Sequence, residues 1–300
     1  MRTFDEVYDL LKANTAKRRL AVAWGVDDHS VCAASMAVDA GFCEATLYGD
    51  RKMIEAVCAK ENIDINKFSI MDVPVELKAI QAAVTAVHNG EADVLMKGLC
   101  STDKYMRGIL NKEWGLLPPK AVLSHISVMQ HPNYPKFLTF GDMAVIPLPD
   151  FKQKQAILRY VVGVCQSLGV EKPKIAMIAA TEQMLDGMPA CVEAAMISKM
   201  SDRGQVYGLV DGPLALDVAL SKEAAAIKKL KSEVAGDVDG MVFPNIESGN
   251  VFYKSNTQLV PGVRTAAFVA GASAPCVLSS RADSIDTKLN SIALACLQVK

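Results

Sequence analysis

The feature that most restricts how this chain can fold is a regular alternation between two hydrophobic periods. Short apolar runs of strand length stand at 20–24 (LAVAW), 45–49 (ATLYG), 68–73 (FSIMDV), 92–98 (ADVLMKG) and 121–129 (AVLSHISVM). Most read as strands buried on both faces. Between them lie segments of helical period. Leu77, Ile80, Val84 and Val87 recur at three- and four-residue steps, and Gly90 follows in a C′ position. Asp50 is placed to cap a helix carrying Met53, Ile54 and Val57. Such a βαβα order with short links predicts an α/β fold with a mostly parallel sheet covered by helices.

The same grammar resumes after Pro147 and Pro149. It predicts a helix over 150–168, a strand at 174–180 (KIAMIAA) and a helix over 189–200. A strand at 206–210, helical residues 215–235, strands at 240–244 and 266–271 and a final helix over 284–298 complete the chain. HNGEADVLMKG (88–98) is echoed by VAGDVDGMVFP (234–244): helix, Gly, a small residue, Asp, then an apolar strand. The echo spans about half the chain, and 300 residues suit about two domains. Two α/β units of similar plan, with ligand bound in a cleft between them, are therefore expected.

Charge narrows the partners. Thirty-two Lys and Arg against thirty-three Asp and Glu leave a formal charge of −1, without the basic excess of a nucleic-acid binder. None of the eight cysteines has CxxC spacing, which argues against a zinc ribbon or dithiol redox motif. The first nineteen residues are charged throughout, unlike a signal peptide. The uncharged stretch near 265–280 contains Gly, Ser and Pro and falls short of a membrane span. The expectation is a soluble, cytoplasmic protein with reduced thiols and no membrane partner. No GxGxxG, Walker A, HExxH or GxSxG motif occurs. An anionic ligand must then be held by arginines at strand ends and by helix N-termini.

Three segments have that character. LSSRADSIDTKL (278–289) places Ser280 and Arg281 between a strand and a helix, with Asp283 or Ser284 as cap. MKGLCSTDKYMRGIL (96–110) has Lys97 at a strand end, Ser101 and Thr102 as cap types, and Arg107 about one turn later. VFPNIESGNVFYKS (242–255) reads as a polar loop in which Asn245, Ser248, Gly249 and Asn250 leave room for close backbone approach, with Glu247 a potential base. His125 and His131 flank a strand end; both suit structural roles, His125 being the better catalytic candidate. Cys100 reads as packing, and Lys228, Lys229 and Lys231 as a solvated helix face.

In order and spacing these segments, with GLVDGPLALDVALS (208–221) and KLNSIALA (288–295), resemble the phosphotransacylase family, and its phosphate butyryltransferase branch more than its acetyltransferase branch. The resemblance implies the reversible reaction of acyl-CoA with phosphate to give acyl phosphate and CoA, with short-chain, butyryl-type acyl groups preferred. It implies two α/β/α domains similar to isocitrate and isopropylmalate dehydrogenases, an active-site cleft between them, and dimers or larger homo-oligomers. Residues 1–139 with 280–300 would form one domain and 140–279 an inserted second. No metal and no permanently bound cofactor is implied; CoA serves as co-substrate. By position, Ser280 and Arg281 match the family's catalytic pair. Arg107 matches a substrate-contacting arginine, Ser101 and Thr102 the hydroxyl pair before it, and Lys97 and Asn250 match positions of the butyryl branch.

One departure concerns the proton acceptor. The acetyl branch has an aspartate seven positions after the serine, where this chain has Thr287. Asp286 is one residue away, and a one-residue offset on a helix turns a side chain by about 100°. Asp286, Asp283, His125 and Glu247 all stand as candidate bases. The rival readings are a metal- and NAD-dependent hydroxyacid dehydrogenase of the same fold, which needs clustered acids or histidines, and a non-catalytic sensor of acyl phosphate or CoA.

Overall fold

The computed structural model describes residues 1–14, 16–279 and 283–299, and it divides into two compact units. The first comprises Phe4–Leu123 and Arg264–Lys300; the second comprises Met1–Thr3 and Ser124–Val263. The family resemblance implies edges at 140 and 279, whereas contacts divide the chain at 124 and 263. The reason is strand pairing: the residues at 124–141 form a hairpin on the second unit's sheet, and those at 264–277 pair within the first.

The first unit opens with α1 (Phe4–Ala13), β1 (Arg18–Ala23), α2 (Asp28–Asp39), β2 (Cys43–Gly49), α3 (Arg51–Lys60), β3 (Phe68–Asp72), α4 (Glu76–His88), β4 (Val94–Lys97) and α5 (Thr102–Ile109). The caps follow the chemistry of the sequence. Asp50 accepts the Met53 N–H at 3.1 Å, and Gly90 takes φ +73° beyond the end of α4. β1 to β4 are buried along nearly their whole length except β3, which lies at the sheet edge and is half open.

The second unit holds β5 (Ser124–Gln130), β6 (Phe137–Gly141), α6 (Phe151–Ser167), β7 (Lys174–Ile178), α7 (Pro189–Asp202), β8 (Leu209–Leu214), α8 (Leu216–Leu220), α9 (Lys222–Ile227), β9 (Gly240–Val242) and α10 (Ile246–Leu259). Its strands run in the order β5-β6-β9-β7-β8, parallel except for the β5–β6 hairpin. Pro213 lies in β8, the edge strand, where a missing N–H costs least. α6 starts with a reciprocal capping box between Asp150 and Gln153 and buries Ile157, Leu158, Val161, Val162 and Val164. Each such side chain contributes roughly 1.5–3 kcal/mol by leaving water.

The chain then returns to the first unit as β10 (Arg264–Ala270), β11 (Cys276–Val277) and α11 (Ile285–Gln298). The strand order there is β3-β2-β1-β4-β11-β10, parallel except between β10 and β11. Each unit thus carries a mostly parallel sheet flanked by helices.

Several elements escaped sequence patterning, α1 among them. β6 sits among Pro132, Pro135 and Gly141, which read as turn punctuation. β11 is two residues long. α10 occupies the stretch expected to be a polar loop, because Asn245 caps a helix by accepting the Ser248 N–H at 2.9 Å. The helical stretch expected over 215–235 is divided where Ser221 caps α9.

The internal echo has a structural meaning. Asp93 accepts the Arg19 backbone N–H at 2.8 Å and returns its own N–H to the Arg19 carbonyl at 2.8 Å. Asp239 does the same with Lys174: carboxylate from N–H at 2.8 Å, N–H to carbonyl at 2.8 Å. Gly90 and Gly236 precede them at φ +73° and +74°. In both units the aspartate fastens the start of one strand to the start of its parallel neighbour.

The second copy of this device sits in an ion cluster. Lys174 Nζ lies 2.7 Å from Asp237, and Lys136 Nζ lies 3.1 Å from Asp237 and 2.8 Å from Asp239. The hydrogen bond from Lys174, with help from Lys136, holds the Asp237 carboxyl below its ordinary range. A depressed folded pKa gives stability that is complete above the unfolded value near 4 and is lost as pH falls through the folded value. Asp237 is a third exposed, so solvent screening limits the effect. Asp237→Asn is expected to cost about 0.5–1 kcal/mol at pH 7, and the gap to wild type should close toward pH 3. Urea midpoints across that range test this.

Candidate active site

In the first unit the strand order reverses between β1 and β4, since the chain builds β2 and β3 on one side of β1 before crossing to the other. The carboxyl ends of strands at such a reversal are where open α/β sheets bind ligands. Here the two strand ends are laced together. Gly98 N–H donates to the Ala23 carbonyl and Leu99 N–H to the Trp24 carbonyl, both at 2.9 Å. Trp24, directly after β1, is held at φ +56°, a conformation that costs a bulky L-residue on the order of 1 kcal/mol or more and tends to persist at functional sites.

Lys97 ends β4 with only 3% of its surface exposed. Its ammonium donates to the carbonyls of Gly98 at 3.2 Å and Cys100 at 3.1 Å, gathering the turn that follows the strand. Cys100 is fully buried with its thiol 3.9 Å from the Ala23 carbonyl, in keeping with packing. Ser101 caps α5 by accepting the Lys104 N–H, and Thr102 is the exposed first residue of the helix. Arg107 is 78% exposed and reaches back one turn to Asp103, Nε to Oδ1 at 3.1 Å.

β11 is the next strand over, parallel to β4, with Val277 paired to Met96. Ser279, just past it, accepts a hydrogen bond from Lys288 Nζ at 3.0 Å. Ser280 and Arg281, the expected catalytic pair, lie outside the described residues. Asp283 is half-buried, and its carbonyl meets His29 Nδ1 at 3.2 Å. Ser284 caps α11 by accepting the Thr287 N–H at 3.1 Å. Asp286 is exposed on the first turn of α11, and its charge reaches Tyr8 of α1.

The remaining candidates belong to the second unit. Glu247 is exposed on the first turn of α10, while Asn250 donates from Nδ2 to the Met143 carbonyl at 3.1 Å. A Cβ at Gly249 would come within 2.4 Å of the Asp142 carbonyl, so the close approach anticipated there is to the chain's own backbone. His125 is a buried residue of β5, 6% exposed. Its N–H donates to the buried carboxylate of Asp142, which also accepts Ser124 Oγ and the N–H groups of Ala144, Val145 and Ile146. Asp142 organises the loop to which Asn250 is tied.

The first unit thus carries Lys97, Ser101, Thr102, Arg107, Asp283 and Asp286, with the charges of Lys97 and Asp283 acting on Lys288; the second carries His125, Glu247 and Asn250. Sequence reasoning missed Lys288 and Asp142. The signal for Lys288 was a lone charge in an otherwise uncharged run, KLNSIALA; for Asp142 it was an acid following an apolar run. Among the described residues no three His, Cys, Asp or Glu side chains gather as a metal-holding group, and no helix is long and apolar enough to cross a membrane.

A sequence profile of the phosphate acetyl/butaryl transferase family matches residues 73–296. A phosphate butyryltransferase of Clostridium acetobutylicum is 43% identical over 298 residues, covering 99% of this chain and 98% of that protein. A phosphate acetyltransferase of Thermotoga maritima is 38% identical, covering 93% of this chain and 94% of its own. Among solved structures, a branched-chain phosphotransacylase from Enterococcus faecalis V583 superposes with a TM-score of 0.82 at 29% identity, covering 94% of this chain and 99% of that one.

Proposed function

The chain belongs to the phosphate acetyl/butaryl transferase family, and from that premise we propose that it interconverts acyl-CoA plus phosphate with acyl phosphate plus CoA, preferring short, butyryl-type acyl groups. The observation that carries this reading is the end-to-end match to a phosphate butyryltransferase at 43% identity. The finer fold expectation, two α/β/α domains on the plan of isocitrate and isopropylmalate dehydrogenases, belongs to the same proposal. So do the homo-oligomeric state, the cytoplasmic location and the absence of a permanently bound cofactor.

The transfer is direct. In the acyl-CoA-forming direction the thiolate of CoA attacks the acyl carbon of the acyl phosphate, a carbon–sulfur bond forms, the bond from that carbon to the bridging oxygen breaks, and phosphate departs with the electron pair. A free thiol has a pKa of about 8.5, so its proton must be removed. Of the four candidate bases, Asp283 is half-buried and stands two residues after Arg281 in sequence, and it is assigned that proton. Arg281 stabilises charge developing on the carbonyl and phosphoryl oxygens, and Ser280 hydrogen-bonds the thiolate or the tetrahedral oxyanion. Arg107, exposed and paired with Asp103, exchanges that partner for a stronger anion and binds phosphate together with the N-terminus of α5, and Asn250 is assigned to substrate binding.

Thiol release from a panel of acetyl-, propionyl-, butyryl- and branched acyl-CoA esters, with and without phosphate, tests the reading. Phosphate-dependent release with a short-chain optimum is expected. Reduction of NAD by a hydroxy acid and Mg²⁺, with no phosphate-dependent release from any ester, overturns it. Arg107→Ala is expected to raise KM for phosphate about tenfold with kcat changed less than threefold, as for loss of one charge-assisted contact worth about 1.5 kcal/mol. Steady-state kinetics in phosphate check this.

A further inference from the structure

Lys288 sits where a lysine is physically expensive. It lies four residues into α11, where the helix dipole disfavours a cation, and only 3% of its surface is exposed. Neighbouring positions Leu289, Ile292, Ala293 and Leu294 are core residues. A buried charge without compensation is strongly destabilising, so its partners define what it does. Its ammonium donates to Ser279 Oγ at 3.0 Å, and the negative charges of Asp283 and Asp27 favour its protonated form. Ser279 and Asp283 are the residues on either side of Ser280, Arg281 and Ala282 in the chain.

Lys97 stands in a parallel situation one strand away. It too is 3% exposed and holds the turn after its strand, through the carbonyls of Gly98 and Cys100. Since β4 and β11 run parallel with Met96 level with Val277, the two strands end side by side. In sequence each is followed by part of the family's matched site: Ser101 and Thr102 after β4, Ser280 and Arg281 after β11. The two ammonium groups also feel one another, because Lys97 adds to the burial that pushes Lys288 below the ordinary lysine range.

We propose that Lys288 is a positioning residue for acyl transfer: its buried ammonium holds Ser279 and balances Asp283, the two residues that bracket Ser280 and Arg281 in the chain. This rests on the phosphate acyltransferase reading. The ammonium is buried too deeply to serve as a substrate contact, so it acts through Ser279 and Asp283. Two buried cations, Lys97 and Lys288, also make the approach of an anionic substrate more favourable.

The charges acting on Lys288 come from Asp283 in the turn, Asp27 at the cap of α2 and Lys97 at the end of β4. Burial raises the pKa of Cys276 on β11, which keeps that thiol neutral. Arg264 of β10 and Tyr8 of α1 meet Asn290, two residues further on α11 and so about 200° around the helix. Only the protonated form of Lys288 can donate to Ser279 while balancing Asp283. Activity that depends on it must therefore fall as pH rises through a value below the lysine norm of about 10.4.

The test uses the full-length enzyme with butyryl-CoA and phosphate, a direction in which no substrate thiol titrates. Lys288→Met keeps the volume and removes the charge. It is expected to lower kcat roughly 10- to 100-fold, with KM for both substrates within about threefold, and to abolish the alkaline limb of the kcat profile. Ser279→Ala, a small change that keeps the lysine, should lower kcat in the same sense and carries the test if Lys288→Met does not fold. Retention of kcat within twofold in both variants, or a fall in kcat with an unaltered alkaline limb, overturns the proposal while the family reading stands. A wild-type enzyme that turns over no acyl-CoA with phosphate overturns both together.

Discussion

Arg281→Ala is expected to reduce kcat about 10²- to 10³-fold while the fold stays intact. The physical basis is charge development. As thiolate meets acyl phosphate, negative charge gathers on the carbonyl oxygen and on the departing phosphoryl oxygens, and a guanidinium can address both in its planar fork. Removing one preorganised donor of this kind costs roughly 2.7–4 kcal/mol of transition-state stabilisation. Lysine should restore little, because a point charge does not reproduce two parallel N–H donors. Stopped-time assays of thioester formation from acyl phosphate and CoA, paired with thermal melting, separate chemistry from folding. Wild-type kcat in Arg281→Ala would falsify the catalytic assignment.

Gly98→Ala is expected to destabilise the first unit by about 3 kcal/mol or more. A Cβ built there would stand 2.1 Å from the Trp24 carbonyl oxygen and 2.8 Å from that of Ala23. Both obstacles are backbone, in the segment that Gly98 and Leu99 themselves bond. Nothing flexible can move aside, so relief requires prising β4 from β1 where Lys97 gathers its turn, at the upper end of overpacking costs or beyond. The melting temperature should fall by roughly 6–12 °C. Gly163→Ala provides the contrast: it lies inside α6 with nothing within 4 Å of the added carbon, and should stabilise by about 0.5–1 kcal/mol through helix propensity. Equal melting temperatures for Gly98→Ala and wild type would show that the strand ends are not locked as described.

How legible the fold was depended on the element. Val94–Lys97 and Lys174–Ile178 announced themselves because strands buried on both faces leave uninterrupted apolar runs. Ile246–Leu259 did not. Gly249 is its one buried residue, so no apolar stripe marks it, and the Asn, Ser and Gly that open it are residues turns also favour. Phe137–Gly141 was hidden by prolines and glycine that flank a hairpin rather than end a domain. That hairpin is also why the unit edges fall at 124 and 263.

The site was legible in part for a similar reason. Ser101 and Ser284 could be placed because capping is local: a hydroxyl bonds an N–H two or three residues ahead, and both partners are visible in the same short stretch. Lys288 could not, because its role depends on Ser279, nine residues back across a turn, and on Asp27, more than 250 residues away. In sequence it is one more lysine on a helix.

Alternating apolar periods, cap chemistry and the four matched segments are short-range properties, and they were enough to determine an α/β chain with helices on a mostly parallel sheet and its membership of an acyl-transferring family. Tertiary structure alone decided which strand ends stand side by side and which lysines are sealed in the core. Those outcomes follow from strand order and helix rotation, which bring distant residues together and exclude water from the charges between them.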